Sequence, residues 1–235
     1  MEKLRTILIS GASRGIGRSI ALRALKDGHR ISLGLRNPED VKGTKLDPDI
    51  SGSEKILLNH YEATNPYTAK EWISSTIDYF KDFDSLINCA GVFHNTKFLF
   101  SDIEENEIKE MWKINLMAPW WLTKEAWSQL ERNGKGRVIF LVSMSGKRSK
   151  GSLAGYSASK FALMGLCQTI RNEGWDSGVR VTAICPGWVN TDMAAGIKSI
   201  DKKEMTQPCD IAELTSLVLR LPNSSVPFEI SLNCN

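Results

Sequence analysis

A tyrosine and a lysine stand four residues apart in a segment of helical pattern, at positions 156 and 160. Positions i and i+4 of a helix share one face, so Tyr156 and Lys160 are predicted to lie one turn apart. A free tyrosine has a pKa near ~10, which is too high for ready proton exchange at neutral pH. Because an ammonium group favours the phenolate, we expect Lys160 to lower the pKa of Tyr156 and fit it for acid–base work.

A serine, Ser143, ends the fifth predicted strand, where an open α/β sheet presents its ligand-binding groups. Its hydroxyl is placed to hold a substrate carbonyl beside Tyr156. Each of these residues also has an ordinary structural explanation, since a Tyr/Lys pair on a helix is commonly a surface contact and a serine after a strand is commonly a turn residue. The acid–base interpretation therefore depends on the motifs around them.

A glycine-rich loop, Gly11–Gly17, follows the first predicted strand and precedes a helix. Glycines at positions 11, 15 and 17 permit a tight turn, close approach of the backbone to a pyrophosphate, and close packing of helix on strand. The helix N terminus adds free N–H groups and a partial positive charge. The alternative is a plain glycine turn, which the position between strand and helix disfavours. Ile16 breaks the GxxxxGK[ST] spacing and excludes a phosphate loop of the nucleotide-hydrolase type.

Two arginines bear on which dinucleotide binds. The second predicted strand ends in Gly34-Leu35-Arg36, without the acid that an NAD site commonly offers to the ribose 2′-hydroxyl. Arg14 lies in the glycine loop itself. Two guanidinium groups suit a 2′-phosphate because each binds it bidentately and keeps its charge. The alternative is a pair of solvated surface arginines; with the missing acid, the sequence favours NADP(H) over NAD(H).

The elements that must position these residues alternate between strands and helices. One predicted helix runs from the glycine loop to Gly28, and a second begins at Asn65-Pro66. Three more are predicted at residues 103–130 (broken or bent near Pro119), 153–175 and 210–221. The polar stretch 37–54 is predicted to be an exposed turn or insertion. Short apolar strands are predicted at residues 6–9, 30–35, 56–61, 85–88, 137–142, 179–184 and 228–232.

This alternation predicts an α/β fold, a Rossmann-like, doubly wound, seven-stranded parallel sheet with helices on both faces. We expect residues 1–235 to form one such domain.

The 30 basic and 27 acidic residues nearly balance, which leaves no electrostatic case for nucleic acid as a partner. No apolar run is long enough for a membrane span, and we expect a cytoplasmic protein. The five cysteines and three histidines show no metal-ligand spacing, and we interpret as reduced thiols Cys89, Cys167, Cys185, Cys209 and Cys234.

Taken together, the motifs resemble those of the classical short-chain dehydrogenase/reductase family. The resemblance covers essentially the whole chain, with the motifs in family order and at family spacing. They are Gly11-x-x-x-Gly15-x-Gly17, Asn88-Cys89-Ala90-Gly91, Asn115, Ser143, Tyr156-x-x-x-Lys160 and Pro186-Gly187-x-x-x-Thr191.

The resemblance implies a role for each catalytic position. Tyr156 is the general acid in reduction and the base in oxidation. Lys160 lowers the pKa of the tyrosine and bonds the nicotinamide ribose, and Ser143 positions and polarises the carbonyl. Asn115, at a bend in its helix, would hold a water that relays protons to Lys160.

The resemblance also implies a cofactor site on the loops that follow the strands. Thr191 and the backbone near Val189 would bind the nicotinamide carboxamide, and Glu62 stands where the family has an aspartate that contacts adenine. Cys89 replaces the second asparagine of the family motif, and Ser10 replaces a threonine. The predicted cofactor-binding residues are Gly11, Ser13, Arg14, Gly15, Ile16, Gly17, Arg36, Glu62, Asn88, Ala90, Gly91, Tyr156, Lys160, Pro186, Gly187, Val189 and Thr191.

The substrate is less constrained than the cofactor. Apolar and aromatic residues that follow cofactor motifs are candidate pocket walls, and packed core is the alternative: Phe93, His94, Trp188 and Met193. Three cations, Lys147, Arg148 and Lys150, follow Ser143; they either meet an anionic group or form a solvated loop, and the solvated loop is favoured. Residues 194–207 are predicted to be a mobile lid over the substrate.

The two long helices are apolar nearly all round, although a single sheet can cover only one stripe. On the first helix, one stripe contains Trp112, Leu116, Trp120 and Trp127, and the other contains Met111, Ile114, Ala118 and Leu122. The helix at 161–170 is similar. We therefore expect a homodimer or homotetramer built on these helices.

The resulting prediction is an NADPH-dependent oxidoreductase that reduces a ketone, aldehyde or 3-oxoacyl substrate to an alcohol, with Tyr156 as the acid. Its small-molecule partner is a carbonyl or alcohol compound. One alternative is an NAD-linked alcohol dehydrogenase, which Arg14 and Arg36 oppose. Another is a non-catalytic dinucleotide-binding regulator, which needs no proton donor.

Overall fold

The computed structural model of this protein describes residues 4–232. Within that range the strands are β1 Thr6–Ser10, β2 Arg30–Leu35, β3 Ile56–His60, β4 Ser85–Asn88, β5 Arg137–Leu141, β6 Arg180–Pro186 and β7 Glu229–Leu232. They form one seven-stranded sheet in the order β3-β2-β1-β4-β5-β6-β7, and every neighbouring pair is parallel. The predicted parallel α/β fold is confirmed.

Helices cover both faces of the sheet, because successive strand residues point to opposite sides. Ile7 and Ile9 of β1 belong to one buried core, and Leu8 between them belongs to the other. The first core is closed by α1 (Gly15–Lys26) and α7 (Pro208–Arg220). The second is closed by α3 (Pro66–Phe80), α5 (Ala118–Glu131) and α6 (Ala154–Glu173).

The long predicted helix at 103–130 is interrupted. It consists of α4 (Asp102–Trp112), a π-helical segment (Lys113–Met117) and α5. The sequence predicts a break or bend near Pro119, and the irregular turn ends two residues before that proline. Pro119 has no N–H to donate to the carbonyl of Asn115, four residues earlier, so the wider turn forms around Asn115.

The polar stretch 37–54 is more structured than predicted. It contains a 3₁₀ turn, Pro38–Val41, and a short helix α2, Pro48–Ser51. Val41 and Leu46 are completely buried in the core beneath α1 and α7, so the prediction of an exposed insertion is wrong for them. Two isolated apolar residues carry no periodic signal, and only packing against the sheet reveals their place.

In the sheet, β1 lies between β2 and β4. The chain adds β2 and β3 on one side of β1 and then returns to add β4 to β7 on the other side. At such a point a crevice opens beyond the carboxyl ends of the strands. The loops after β1, β4, β5 and β6 meet at this edge and carry the predicted site residues. Between residues 4 and 232, no helix is both long and apolar enough to cross a membrane.

Candidate active site

The glycine loop after β1 is pressed against the loop after β4. Gly11 has a φ of +69°, and a Cβ at this position would lie 2.8 Å from the backbone of Ala90. A Cβ on Gly17 would lie 2.3 Å from the carbonyl oxygen of Gly11. Because only glycine avoids these contacts, α1 begins directly against the loop and its first turn faces the crevice.

The N terminus of α1 opens into a cavity of about 550 Å³. Arg14 occupies the N-cap position without a side-chain hydrogen bond to the helix, and the first turn contains no acid. The amide groups and the partial positive charge of this helix end are therefore presented to an anion. This donor set fits the phosphates of a dinucleotide. The loop residues that line the cavity are Gly11, Ser13, Arg14, Gly15, Ile16 and Gly17.

The two arginines expected to select the cofactor both line this cavity and are exposed. The guanidinium of Arg14 lies 3.6 Å from the carboxylate of Asp192. Arg36, immediately after β2, shares the cavity wall with Asp40. Sequence reasoning missed Asp40, because the 3₁₀ turn Pro38–Val41 brings it to the cavity from four residues beyond Arg36.

Ser143, Tyr156 and Lys160 converge on the cavity from two elements. Ser143 follows β5 and the other two residues lie on α6. The side chains of Ser143 and Tyr156 are hydrogen-bonded to each other. The Nζ atom of Lys160 lies 5.8 Å from the centre of the Tyr156 ring and donates to the carbonyl oxygen of Leu141 at 2.9 Å. The Oγ atom of Ser143 also accepts from the N–H of Ser145 at 3.0 Å, which fixes its orientation.

Burial is the largest influence on the pKa values of both Tyr156 and Lys160. It raises the pKa of Tyr156 to about 12, and the hydrogen bond with Ser143 offsets part of that rise. Burial lowers the pKa of Lys160 to about 8. For the protein alone, the prediction of a lowered pKa for Tyr156 is therefore wrong, because loss of water around the hydroxyl outweighs the hydrogen bond with Ser143. The phenol is protonated at neutral pH, which is the form that donates a proton.

Asn115 is buried and lies behind the cavity rather than in its wall. Its Oδ1 accepts from the N–H of Val92 at 2.9 Å, and its Nδ2 donates to the carbonyl of Val92 at 3.0 Å and to Ser159 Oγ at 3.2 Å. The side chain therefore clamps the loop after β4 to α6. The predicted water relay stays a prediction.

The loop after β4 is held from beneath by Ser10. The Ser10 Oγ atom accepts from the N–H groups of Cys89 at 3.1 Å and Ala90 at 3.2 Å, a role that sequence reasoning missed. Ala90 and Gly91 line the cavity. Asn88, predicted to bind the cofactor, is buried instead, and its Nδ2 donates to Thr123 on α5 at 3.1 Å.

The cysteines within residues 4–232 are free thiols, and Cys234 lies outside the described residues. Cys89 lines the cavity, where burial raises the pKa of its thiol to about 12. Cys167 and Cys185 are buried in the core, and Cys209 is exposed. At neutral pH Cys89 is therefore a neutral part of the cavity wall.

Glu62 reaches the cavity wall after β3, but its carboxylate is engaged locally. Its Oε1 atom accepts from both the N–H and the hydroxyl of Thr64, each at 3.1 Å. The adenine contact stays a prediction. The turn after β6 also reaches the cavity through Pro186, Gly187, Val189 and Thr191.

The predicted substrate walls are placed as expected with one exception. Phe93, Trp188 and Met193 line the cavity. The Phe93 ring packs edge-on against Tyr156 with centroids 4.9 Å apart, and lies 6.3 Å from Trp188. His94 instead turns toward α4, where its Nε2 lies 2.9 Å from the carboxylate of Glu110. The prediction for His94 is wrong, because the carboxylates of α4 draw the imidazole out of the cavity wall.

The predicted lid, residues 194–207, is anchored at its far end. The backbone of Thr206 exchanges hydrogen bonds with Trp188 and Asn190, at 3.1 and 3.0 Å. Ala194, at the near end, lines the cavity. The segment therefore arches from the cavity wall back to the turn after β6, and its mobility stays a prediction.

The model of the short chain dehydrogenase family matches residues 5–202 of this chain. The chain belongs to this family. An agropine synthesis reductase of Rhizobium rhizogenes is 38% identical over 217 residues, which are 92% of this chain and 49% of that protein. The chain thus spans about half the length of the first curated relatives that it matches.

Two further proteins match this chain over most of their own length. A 3-oxoacyl-[acyl-carrier-protein] reductase of Synechocystis is 27% identical over 192 residues, 82% of this chain and 77% of that protein. A solved alcohol dehydrogenase from the archaeon Thermococcus sibiricus, complexed with 5-hydroxy-NADP, matches with a TM-score of 0.88. It is 26% identical and the match covers 99% of this chain and 97% of that one.

The outer face of this chain leaves aromatic rings in solvent. Trp112 and Trp120 are 40% and 47% exposed, and Phe161 on α6 is 45% exposed. Two other members of that predicted stripe are not exposed: Leu116 is buried in the core, and Trp127 packs against it. The stripe of Met111, Ile114, Ala118 and Leu122 is buried, as the amphipathic pattern predicts.

Proposed function

We propose that this chain is an NADPH-dependent reductase that converts a ketone, an aldehyde or a 3-oxoacyl group to the alcohol. The proposal rests on the hydrogen bond between Ser143 and Tyr156, with Lys160 buried nearby, in the cavity that also receives the N terminus of α1. The curated relatives described above are reductases, which supports this direction of reaction.

NADPH, when bound, supplies the hydride. The glycine loop would hold its phosphates, Arg14 and Arg36 its 2′-phosphate, and Lys160 the nicotinamide ribose. Thr191 and the backbone near Val189 would hold the carboxamide. These residues supply binding and orientation, which bring the reacting atoms together.

The chain's own chemistry is the supply of a proton. Tyr156, protonated at neutral pH, donates its hydroxyl proton to the carbonyl oxygen of the substrate as that carbonyl is reduced to the alcohol. Ser143 holds the same oxygen and bonds Tyr156, so the two hydroxyls define where the oxygen sits. The ammonium of Lys160 balances the negative charge that then remains on Tyr156. In alcohol oxidation the same proton moves in the opposite direction.

NADP(H) is preferred over NAD(H) in this proposal because Arg14, at the N-cap of α1, and Arg36, directly after β2, both line the cavity. An NAD-linked alcohol dehydrogenase is the second candidate, and Asp40 in the cavity wall favours it, because a carboxylate there suits a ribose 2′-hydroxyl. The affinities of the two cofactors decide between them.

We also propose that the chain assembles as a homodimer or homotetramer through the outer faces of α4, α5 and α6. Three aromatic rings, Trp112, Trp120 and Phe161, are partly exposed there. An isologous contact between two copies would remove these rings from water.

The test is the variant Tyr156→Phe, which keeps the ring and deletes the hydroxyl. We expect NADPH binding, measured by fluorescence titration, to persist, because the phosphates and ribose are held elsewhere. Single-turnover oxidation of bound NADPH by an accepted carbonyl compound should slow by roughly 10²- to 10⁴-fold.

The matched control is Tyr67→Phe, since Tyr67 is 76% exposed on α3. This variant should turn over like the unmodified protein. Undiminished turnover in Tyr156→Phe would overturn the proposed mechanism. An unmodified protein that binds NADPH and reduces no carbonyl compound would instead be a dinucleotide-binding regulator.

A further inference from the structure

Two cations reach the cavity from the segment that carries Ser143. Arg148 and Lys150 both line the cavity and are exposed at its mouth. Among the described residues of the cavity wall, the acids are Asp40, Glu62 and Asp192, which follow β2, β3 and β6. The part of the wall after β5 is therefore positive, and it adjoins the proton donor rather than the glycine loop.

The position of these cations is tied to the catalytic residues by hydrogen bonds. A 3₁₀ turn, Met144–Gly146, follows Ser143, and the N–H group of Arg148 donates to the carbonyl of Met144 at 3.0 Å. The hydroxyl of Ser149 bonds that of Ser157 at 3.3 Å, and Ser157 is the neighbour of Tyr156 on α6. The basic segment is thus joined to the chain beside Ser143 and to the chain beside Tyr156.

The neighbouring cation Lys147 behaves differently. Its ammonium pairs with Glu229 and lies 3.3 Å from the hydroxyl of Ser231 on β7. It is not part of the cavity wall. Of the three cations in this segment, Lys147 therefore bonds the sheet edge, whereas Arg148 and Lys150 line the cavity, and all three stay exposed as a solvated loop would be.

Resting on the proposed function, we propose that Arg148 and Lys150 form an anion subsite, and that the substrate is a carbonyl compound bearing a carboxylate or phosphate group. The guanidinium binds either anion bidentately, and the ammonium adds a second charge. The Phe93 ring packs edge-on against Tyr156, and Arg148 and Lys150 are the cations that the segment after Ser143 brings to the cavity wall.

The test compares anionic carbonyl compounds with neutral partners of the same skeleton: levulinate with methyl levulinate, and hydroxyacetone phosphate with hydroxyacetone. In the unmodified protein we expect kcat/KM to be about tenfold higher for the anionic member of a pair. Arg148→Gln combined with Lys150→Gln should lower kcat/KM about tenfold for the anions and less than about twofold for the neutral compounds. The loss should appear in KM, with kcat retained.

The control is Lys147→Gln, which removes a cation from the same loop and should leave the preference for anions intact. Equal kcat/KM for anionic and neutral members, or the same loss in Lys147→Gln as in the double variant, would overturn the proposal. Of the two anions, the one with the larger loss in the double variant identifies the group that the subsite takes.

A binding measurement separates this proposal from the proposed function. Calorimetric titration of NADPH-loaded Tyr156→Phe protein with levulinate or hydroxyacetone phosphate should give a dissociation constant that rises about tenfold when Arg148 and Lys150 are replaced. If no compound is reduced yet this binding is found, the subsite stands and the proposed reaction fails. If neither anion binds in preference to its neutral partner, the subsite is refuted.

Discussion

Replacing Lys160 with methionine should stabilise the protein at neutral pH while removing its activity. Burial lowers the pKa of Lys160 from the ordinary lysine value of 10.5 to about 8. At ~1.4 kcal/mol per pKa unit, the buried ammonium destabilises the folded protein by about 3 kcal/mol. The 2.9 Å hydrogen bond from its Nζ to the carbonyl of Leu141 returns about 1 kcal/mol. Methionine has a similar unbranched shape and no charge, so Lys160→Met should gain about 2 kcal/mol.

The gain should depend on pH in a defined direction. Below about pH 8 the lysine is protonated in both the folded and unfolded states, and the full destabilisation is present. Between that pH and the unfolded pKa near ~10.4, the unfolded state binds more protons, so the unmodified protein becomes relatively more stable as pH rises. The difference in stability between Lys160→Met and the unmodified protein should therefore be largest near neutral pH and shrink toward about pH 10.

The assay is urea unfolding, monitored by tryptophan fluorescence at one protein concentration, near neutral pH and again at about pH 10. Lys70→Met, which changes an exposed lysine on α3, is the control and should stay within about 0.5 kcal/mol of the unmodified protein. A Lys160→Met protein that is less stable by the same amount at both pH values would refute the reasoning, because the ammonium would then be a net stabiliser.

Two other predictions follow from the cavity and the outer helix face. NADPH should bind at least about tenfold more tightly than NADH, because a charge-assisted hydrogen bond contributes ~1.5–3 kcal/mol, and Arg36→Asp should erase or invert this preference. Fluorescence titration measures both constants, and equal values in the unmodified protein would contradict the role of Arg36. Trp120→Glu should lower the assembled mass in light scattering, because it places a charge on the exposed aromatic face. A monomeric unmodified protein at micromolar concentration would rule out that interface.

Local patterns in the sequence were enough to predict the scaffold. The strands were predicted to within about two residues because each is a short apolar run bounded by turn residues, and parallel pairing follows from the helices between them. Gly11 and Gly17 mark the phosphate-type loop because their lack of a Cβ is itself the structural requirement. Tyr156 and Lys160 lie four residues apart on one helix, so their spacing predicts a shared face, and the motifs around them predict that this face meets the site.

Other features depend on atoms that arrive from distant parts of the chain. The predicted direction of the Tyr156 pKa was wrong because the sequence shows the neighbouring Lys160 and not the burial that raises the value. His94 turns away from the cavity because α4 offers it carboxylates, and Asp40 enters the cavity through a 3₁₀ turn. None of these contacts has a signature in spacing along the chain.

Asn115 and the basic segment after Ser143 separate what the sequence determines from what only the tertiary structure decides. The sequence determined that an amide precedes a helix-breaking proline and that three cations follow a serine. Only the tertiary structure decided that the amide clamps Val92 to α6, and that Arg148 and Lys150 face the cavity while Lys147 pairs with Glu229 on β7. The physical reason is that a hydrogen bond or an ion pair depends on which surfaces the packed sheet and helices bring within about 3 Å of each other.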